Sequence, residues 1–132
     1  MDRNALERIY RGYIDCLNGQ EWSRLAEFVA DDAVHNGRPL GIAGYRAMLE
    51  TDFAGIPDLV FTIERLACDP PHVASRLLFD CHPKGVFLEL PVDGRRISFA
   101  ENVFYRFRDG RICEVWSVLD KAAIEAQLAP GR

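Results

Sequence analysis

Near residue 59 the hydrophobic period of this chain changes, and that change constrains the fold more than any other feature. Before it, apolar residues recur at helical spacing. Leu6, Ile9, Tyr10, Tyr13, Ile14 and Leu17 make one stripe over residues 2 to 18. Asn18-Gly19 then supplies residues that tolerate the left-handed turn closing a helix. Trp22, Leu25, Phe28 and Val29 predict a second, short helix, interrupted by Asp31-Asp32. "AVHNGRPLG" reads as a short extended piece and a loop. Residues 43 to 54 predict a third helix, with Tyr45, Met48, Leu49 and Phe53 on one stripe, stopped by "GIPD".

From residue 59 the alternation is two. "LVFTIERLAC" and "HVASRLLFDC" flank a turn at Asp69-Pro70-Pro71. "VFLEL" predicts a short strand between the turns "HPKG" and "PVDG". The runs "RRISFAENVFYRFR" and "RICEVWSVL" flank Asp109-Gly110, a two-residue loop that is a strong hairpin signal. Asp120 is placed to cap a last helix, "KAAIEAQL". Helices first and four to five antiparallel strands second predict an α+β fold. A strongly curved sheet over the helices would leave a concave apolar interior, the default place for a ligand.

Length and composition narrow the function. A chain of 132 residues predicts a single domain spanning 1–132. Apolar residues at 48% set it apart from a disordered chain. The net charge of −4 and scattered arginines, fourteen against two lysines, lack the basic stripe of a nucleic-acid binder. No run approaches the ~18 apolar residues of a membrane span, and no signal peptide is visible in "MDRNALERIY". A cytoplasmic location is the default expectation. Cys16, Cys68, Cys81 and Cys113 have no zinc spacing and read as small buried apolar residues. His35, His72 and His82 make no ligand pair, so no metal site is expected.

The pieces "YIDCLNGQEWSRLAEFVADDAV", "GIAGYRAM", "ELPVDGRRISFAENVFYRFRDGRICEVWSVLD" and "IEAQL" together resemble the SnoaL-like polyketide cyclase family, within the nuclear transport factor 2-like superfamily. The resemblance implies a cone-shaped barrel. Three N-terminal helices would pack in a strongly curved antiparallel sheet, with a short C-terminal helix. It also implies a deep apolar pocket, a homodimer formed through the outer sheet face, and no cofactor. Characterised cyclases of the family close a ring by an intramolecular aldol reaction, using an aspartate on the last strand as acid and base. The same fold hosts isomerases and pure binding proteins, so fold does not fix function.

Carried over by that resemblance, the catalytic aspartate falls on Ser117, and a histidine of one characterised cyclase falls on Val103. A serine hydroxyl does not take an α-proton at neutral pH without its own base. If Ser117 and Val103 face the pocket, strand alternation puts Phe99, Glu101, Tyr105 and Phe107 there too. Glu101, set among apolar residues, would be desolvated and could serve as base or acid; its structural alternative is a pairing with an arginine or a dimer partner. His35 is the second candidate proton carrier, with a solvent-exposed loop histidine as the alternative. Tyr13 and Met48, central on their stripes, are expected to touch a ligand, together with Tyr105 and Ser117. Trp116 should face the other way, Leu119 inward, and Asp120 outward.

The reading is a pocket protein for an apolar small molecule, either a cofactor-free cyclase or isomerase or a non-catalytic binder. A purely structural module would instead have a filled interior, with no cavity above roughly 300 Å3.

Overall fold

A computed structural model describes residues 1–130. Helix α1 (Arg3–Asn18) begins at Asp2, whose carboxylate accepts from the Ala5 N–H at 2.7 Å. Its predicted stripe is its buried face: Leu6, Tyr10, Tyr13, Ile14 and Leu17. A six-residue 3₁₀ helix, Trp22–Glu27, stands where a second α-helix was expected, and buries Leu25. Helix α2 (Gly41–Gly55) buries Tyr45 and Leu49.

The first strand, β1 (Val29–His35), takes in the short extended piece expected at "AVH" and reaches back to Val29, where the end of a short helix and a break at Asp31-Asp32 were expected. It lies parallel to the last strand, β7 (Arg111–Leu119), with His35 opposite Val115. The expected all-antiparallel sheet therefore carries one parallel pair at its edge. Local alternation could not reveal this, because the partner strand is in the other half of the chain. Asp31 and Asp32 do not break the element: both are exposed, while Val29, Ala30 and Ala33 are buried.

The remaining strands are β2 (Thr62–Asp69), β3 (His72–Cys81), the short pair β4 (Val86–Phe87) and β5 (Leu90–Pro91), and β6 (Ile97–Arg108). The main sheet has the order β1-β7-β6-β3-β2. It is curled, and its edge strands β1 and β2 are not paired with each other, so the expected cone is open rather than a closed barrel. "VFLEL" is not one strand. Leu88 and Glu89 take positive φ values of 50° and 66° and fold it into the small β4–β5 hairpin.

The β6–β7 hairpin turns at Asp109 and Gly110, with φ 53° and 76°. Positive φ at both loop positions is what a primed two-residue turn needs to match the strands' twist. Helix α3 (Lys121–Leu128) follows β7, capped by Asp120 accepting from the Ala123 N–H at 3.1 Å. It buries Ile124 completely. Among the described residues no helix is long and apolar enough to cross a membrane. The cysteines are free thiols; Cys16, Cys81 and Cys113 are buried and Cys68 is partly so.

Candidate functional site

The concave face of the sheet, with α1 and α2 against it, encloses a cavity of about 260 Å3. That is slightly under the ~300 Å3 at which ordinary ligand pockets begin, on the side expected of a structural module; the unpartnered His35 Nδ1 and the Glu101 carboxyl in its lining, rather than its volume, favour a ligand. Its aromatic lining falls into two groups. Phe61, Phe79, Phe99 and Phe87 touch in sequence, with ring centroids 5.2, 5.1 and 5.4 Å apart. Tyr13, Tyr45 and Tyr105 also line it, and Tyr10 packs behind them against Tyr13 and Tyr105. Among the described residues, no arginine or lysine lines the cavity.

Strand alternation places the β6 and β7 side chains. Phe99, Glu101, Val103 and Tyr105 of β6 point inward, and Val103 sits opposite Ser117. Leu119, opposite Glu101, also lines the cavity. Phe107 is buried on the same face but lies outside the cavity lining, beyond a register shift after Arg106. Trp116 faces out, 40% exposed, as its parity requires. All six expected site residues line this one cavity: Tyr13, His35, Met48, Glu101, Tyr105 and Ser117.

Glu101 is the most perturbed acid. Burial pushes its carboxyl up to about 7, the Asp52 charge adds to the rise, and the neighbouring Ser117 side chain opposes it. The Ser117 hydroxyl lies beside this carboxyl without making a well-aligned hydrogen bond. No arginine pairs with Glu101 among the described residues, and its side chain lines the cavity rather than the outer sheet face.

Asp52 is the site residue that sequence reasoning missed. It lies three residues beyond Leu49 and four beyond Met48, on the α2 stripe that lines the cavity, so its spacing carried the signal. Burial pushes its carboxyl up to about 6. It keeps an open side to solvent, which limits its desolvation; Glu101 is the more enclosed acid.

His35 ends β1 and stands edge-on to Tyr45, centroids 6.2 Å apart. Burial, with help from the Arg38 charge, holds its imidazole below the ordinary value, so it is neutral near pH 7. Its Nδ1 is buried and has no hydrogen-bond partner, although it lines a cavity. An unmet buried polar atom at that place is what a ligand group or a water would satisfy.

Asn36 begins the turn that follows β1. It adopts φ 47°, and its side chain clasps the backbone of Ser117. Oδ1 accepts from the Ser117 N–H at 2.8 Å, and Nδ2 donates to the Ser117 carbonyl at 3.1 Å. The turn carrying His35 is thereby pinned to the strand carrying Ser117.

Comparison with known proteins agrees with this geometry. Residues 7–128 match the family model of the SnoaL-like polyketide cyclases. The crystal structure of a SnoaL-like polyketide cyclase of Agrobacterium tumefaciens strain C58 is 53% identical, with a TM-score of 0.94 over 98% of this chain and 100% of that one. TsrD of Streptomyces laurentii shares the fold at 22% identity and a TM-score of 0.83, over 98% of each chain. IdmH of Streptomyces antibioticus does so at 25% identity and a TM-score of 0.80, over 93% of this chain and 97% of that one. A stretch of 58 residues is 43% identical to a protein of Rhizobium meliloti described as a probable UDP-glucuronate 4-epimerase. The stretch covers 42% of this chain and only 17% of that protein. With the model matched across nearly its whole length and a relative of the same architecture at more than half identity, the chain belongs to the SnoaL-like polyketide cyclase family.

Proposed function

We propose that this single-domain protein is a cofactor-independent acid–base catalyst acting beside the carbonyl of an apolar, ring-bearing small molecule, as an aldol-type cyclase or an isomerase. The observation that carries this reading is Glu101: an unpaired carboxyl inside an apolar cavity, ionising at about 7. A base poised near the working pH is both basic enough to take a carbon-bound proton and free enough of protons to do so. In the step we envisage, the Glu101 carboxylate forms an O–H bond as the α-C–H bond breaks. The released electron pair passes into the enolate. For ring closure the enolate carbon bonds to a second carbonyl carbon, whose oxygen takes the proton back. For isomerisation another carbon takes it.

His35 is the second proton carrier, since a neutral imidazole accepts a proton near pH 7. Ser117 orients Glu101 or the ligand through its hydroxyl, at the position where the family resemblance would set an aspartate. Tyr13, Met48 and Tyr105 touch the ligand. A homodimer through the outer sheet face would cover Phe104 and Trp116, opposite each other on β6 and β7, and Val118 beside them; these are 59%, 40% and 69% exposed.

The test follows deuterium uptake at the α-carbons of 2-tetralone in D2O by proton NMR. Wild type is expected to speed exchange, and Glu101→Gln to remove that acceleration by about 100-fold or more. His35→Ala should lose most of it too. Full exchange in both variants would overturn the assignment. The competing reading, a non-catalytic binder, is favoured by the serine at 117; it predicts that wild type takes up 2-tetralone without accelerating exchange.

A further inference from the structure

Two hydroxyl protons in the cavity have no acceptor. Tyr13 and Tyr45 hold each other, Oη to Oη at 2.7 Å, and each is 2% exposed. A tyrosine hydroxyl carries one proton and two lone pairs. One of the two protons lies between the oxygens. Whichever ring supplies it, the other ring's proton is left, and it meets no acceptor among the described residues. A second, longer contact runs from the Tyr10 hydroxyl, which also neighbours Ser75, to the Tyr105 hydroxyl at 3.3 Å, and the proton of Tyr105 is left over. Tyr105 is 3% exposed and lines the cavity, as do Tyr13 and Tyr45.

Buried donors without partners are rare, because desolvating them is costly. Here they come from three separate elements, α1, α2 and β6, whose packing fixes the rings before any ligand arrives. Tyr13 stands edge-on to Tyr105, centroids 6.0 Å apart. Donors held in place at the wall of a cavity are a means by which proteins hold charge that develops on an oxygen. Within the first pair, the donated bond makes the remaining proton a stronger donor.

We propose that the Tyr13–Tyr45 hydroxyl pair, assisted by Tyr105, receives a carbonyl oxygen of the ligand and holds the oxyanion that forms on it. The inference rests on the reading of Glu101 as the base that creates this oxyanion, and it names the substrate class: a neutral carbonyl compound rather than a carboxylate or phosphate. With no arginine or lysine in the lining and two acids, Glu101 and Asp52, present, the cavity does not match a permanent anion. The phenylalanine group Phe61, Phe79, Phe87 and Phe99 offers a slot for a ring. Burial raises the Tyr13, Tyr45 and Tyr105 hydroxyls above their ordinary value, so they remain donors across the working range.

The test uses 4-nitrophenol, a ring with an enol-like oxygen, and nitrobenzene, the ring without it, both titrated against the full chain by calorimetry. Wild type should bind 4-nitrophenol. Tyr13→Phe and Tyr45→Phe should each weaken that binding about 10- to 100-fold, while nitrobenzene binding stays unchanged and so reports that the cavity is intact. Glu101→Gln should bind 4-nitrophenol at least as well as wild type. Wild-type affinity in both tyrosine variants, or no 4-nitrophenol binding by wild type, would overturn the inference. If Glu101→Gln stops 2-tetralone exchange while the tyrosine variants bind normally, the base assignment stands and the oxyanion site falls. If Glu101→Gln exchanges freely while the tyrosine variants lose 4-nitrophenol, the oxyanion site stands and the base assignment falls.

Discussion

Glu101 makes folding depend on pH. In the folded chain its proton is held up to about 7, against an ordinary value of 4.5. Between those values the folded state binds a proton that the unfolded chain has released. Stability therefore falls as pH rises through this window, by on the order of 3 kcal/mol for this group alone. Glu101→Gln removes the effect. The variant's Tm is expected to match wild type near pH 4.5 and to exceed it by several degrees near pH 8, as measured by scanning calorimetry across pH. Equal curves at both pH values would show that the carboxyl is not desolvated. The letters of the chain went far at this scale. Once the family resemblance set Ser117 and Val103 inward, parity along β6 and β7 grouped Glu101, Tyr105, Ser117 and Leu119 and sent Trp116 outward. Asp52 escaped because a polar residue on a helical stripe reads as its edge, and only the tertiary fold shows that stripe facing a hollow.

Among the elements, the Asn36 clasp decides how firmly His35 and Glu101, the two proposed proton carriers, share a frame. His35 lies one residue before it, and Glu101 lies across from Leu119 on the strand that Asn36 grips at Ser117. Asn36→Ala loses both bonds and puts a Cβ-bearing residue with no local hydrogen bond at φ 47°. We expect a stability loss of about 1–3 kcal/mol in urea denaturation. A loss below about 0.5 kcal/mol would mean that the clasp carries no weight. Helix α1 and the Asp109-Gly110 hairpin were legible in sequence because their signals are local: a helical stripe and a primed turn. Strand β1 was not. Its pairing with β7 depends on residues in the opposite half of the chain, and its burial, with Val29 and Ala30 inside and Asp31 and Asp32 outside, does not alternate. The same holds for the β4–β5 hairpin, whose turn uses Leu88 and Glu89 rather than glycine or asparagine.

For the whole molecule, the exposed aromatic pair on the convex side bears on assembly. Phe104 and Trp116 lie opposite each other and belong to no core of their own chain. If a second copy covers them, Phe104→Glu should turn a sedimenting dimer into a monomer while leaving 2-tetralone exchange intact. A wild-type monomer at micromolar concentration would remove the dimer from the proposal. The α+β order of the chain was visible from its change of period, but the openness of the sheet was not, since closure depends on whether the edge strands β1 and β2 meet. The parallel seam between β1 and β7 also sets a timetable. Asn36 and Ser117 are 81 positions apart, so a chain growing from its N-terminus makes β1 long before the strand that receives it. Until β7 emerges, β1 has only local neighbours, and the hollow lacks the wall formed by β6 and β7. Contacts so distant in sequence are slow to form. During synthesis, therefore, the cavity should be the last part of this protein to come into being, and a nascent chain halted before Ser117 should bind no ligand at all.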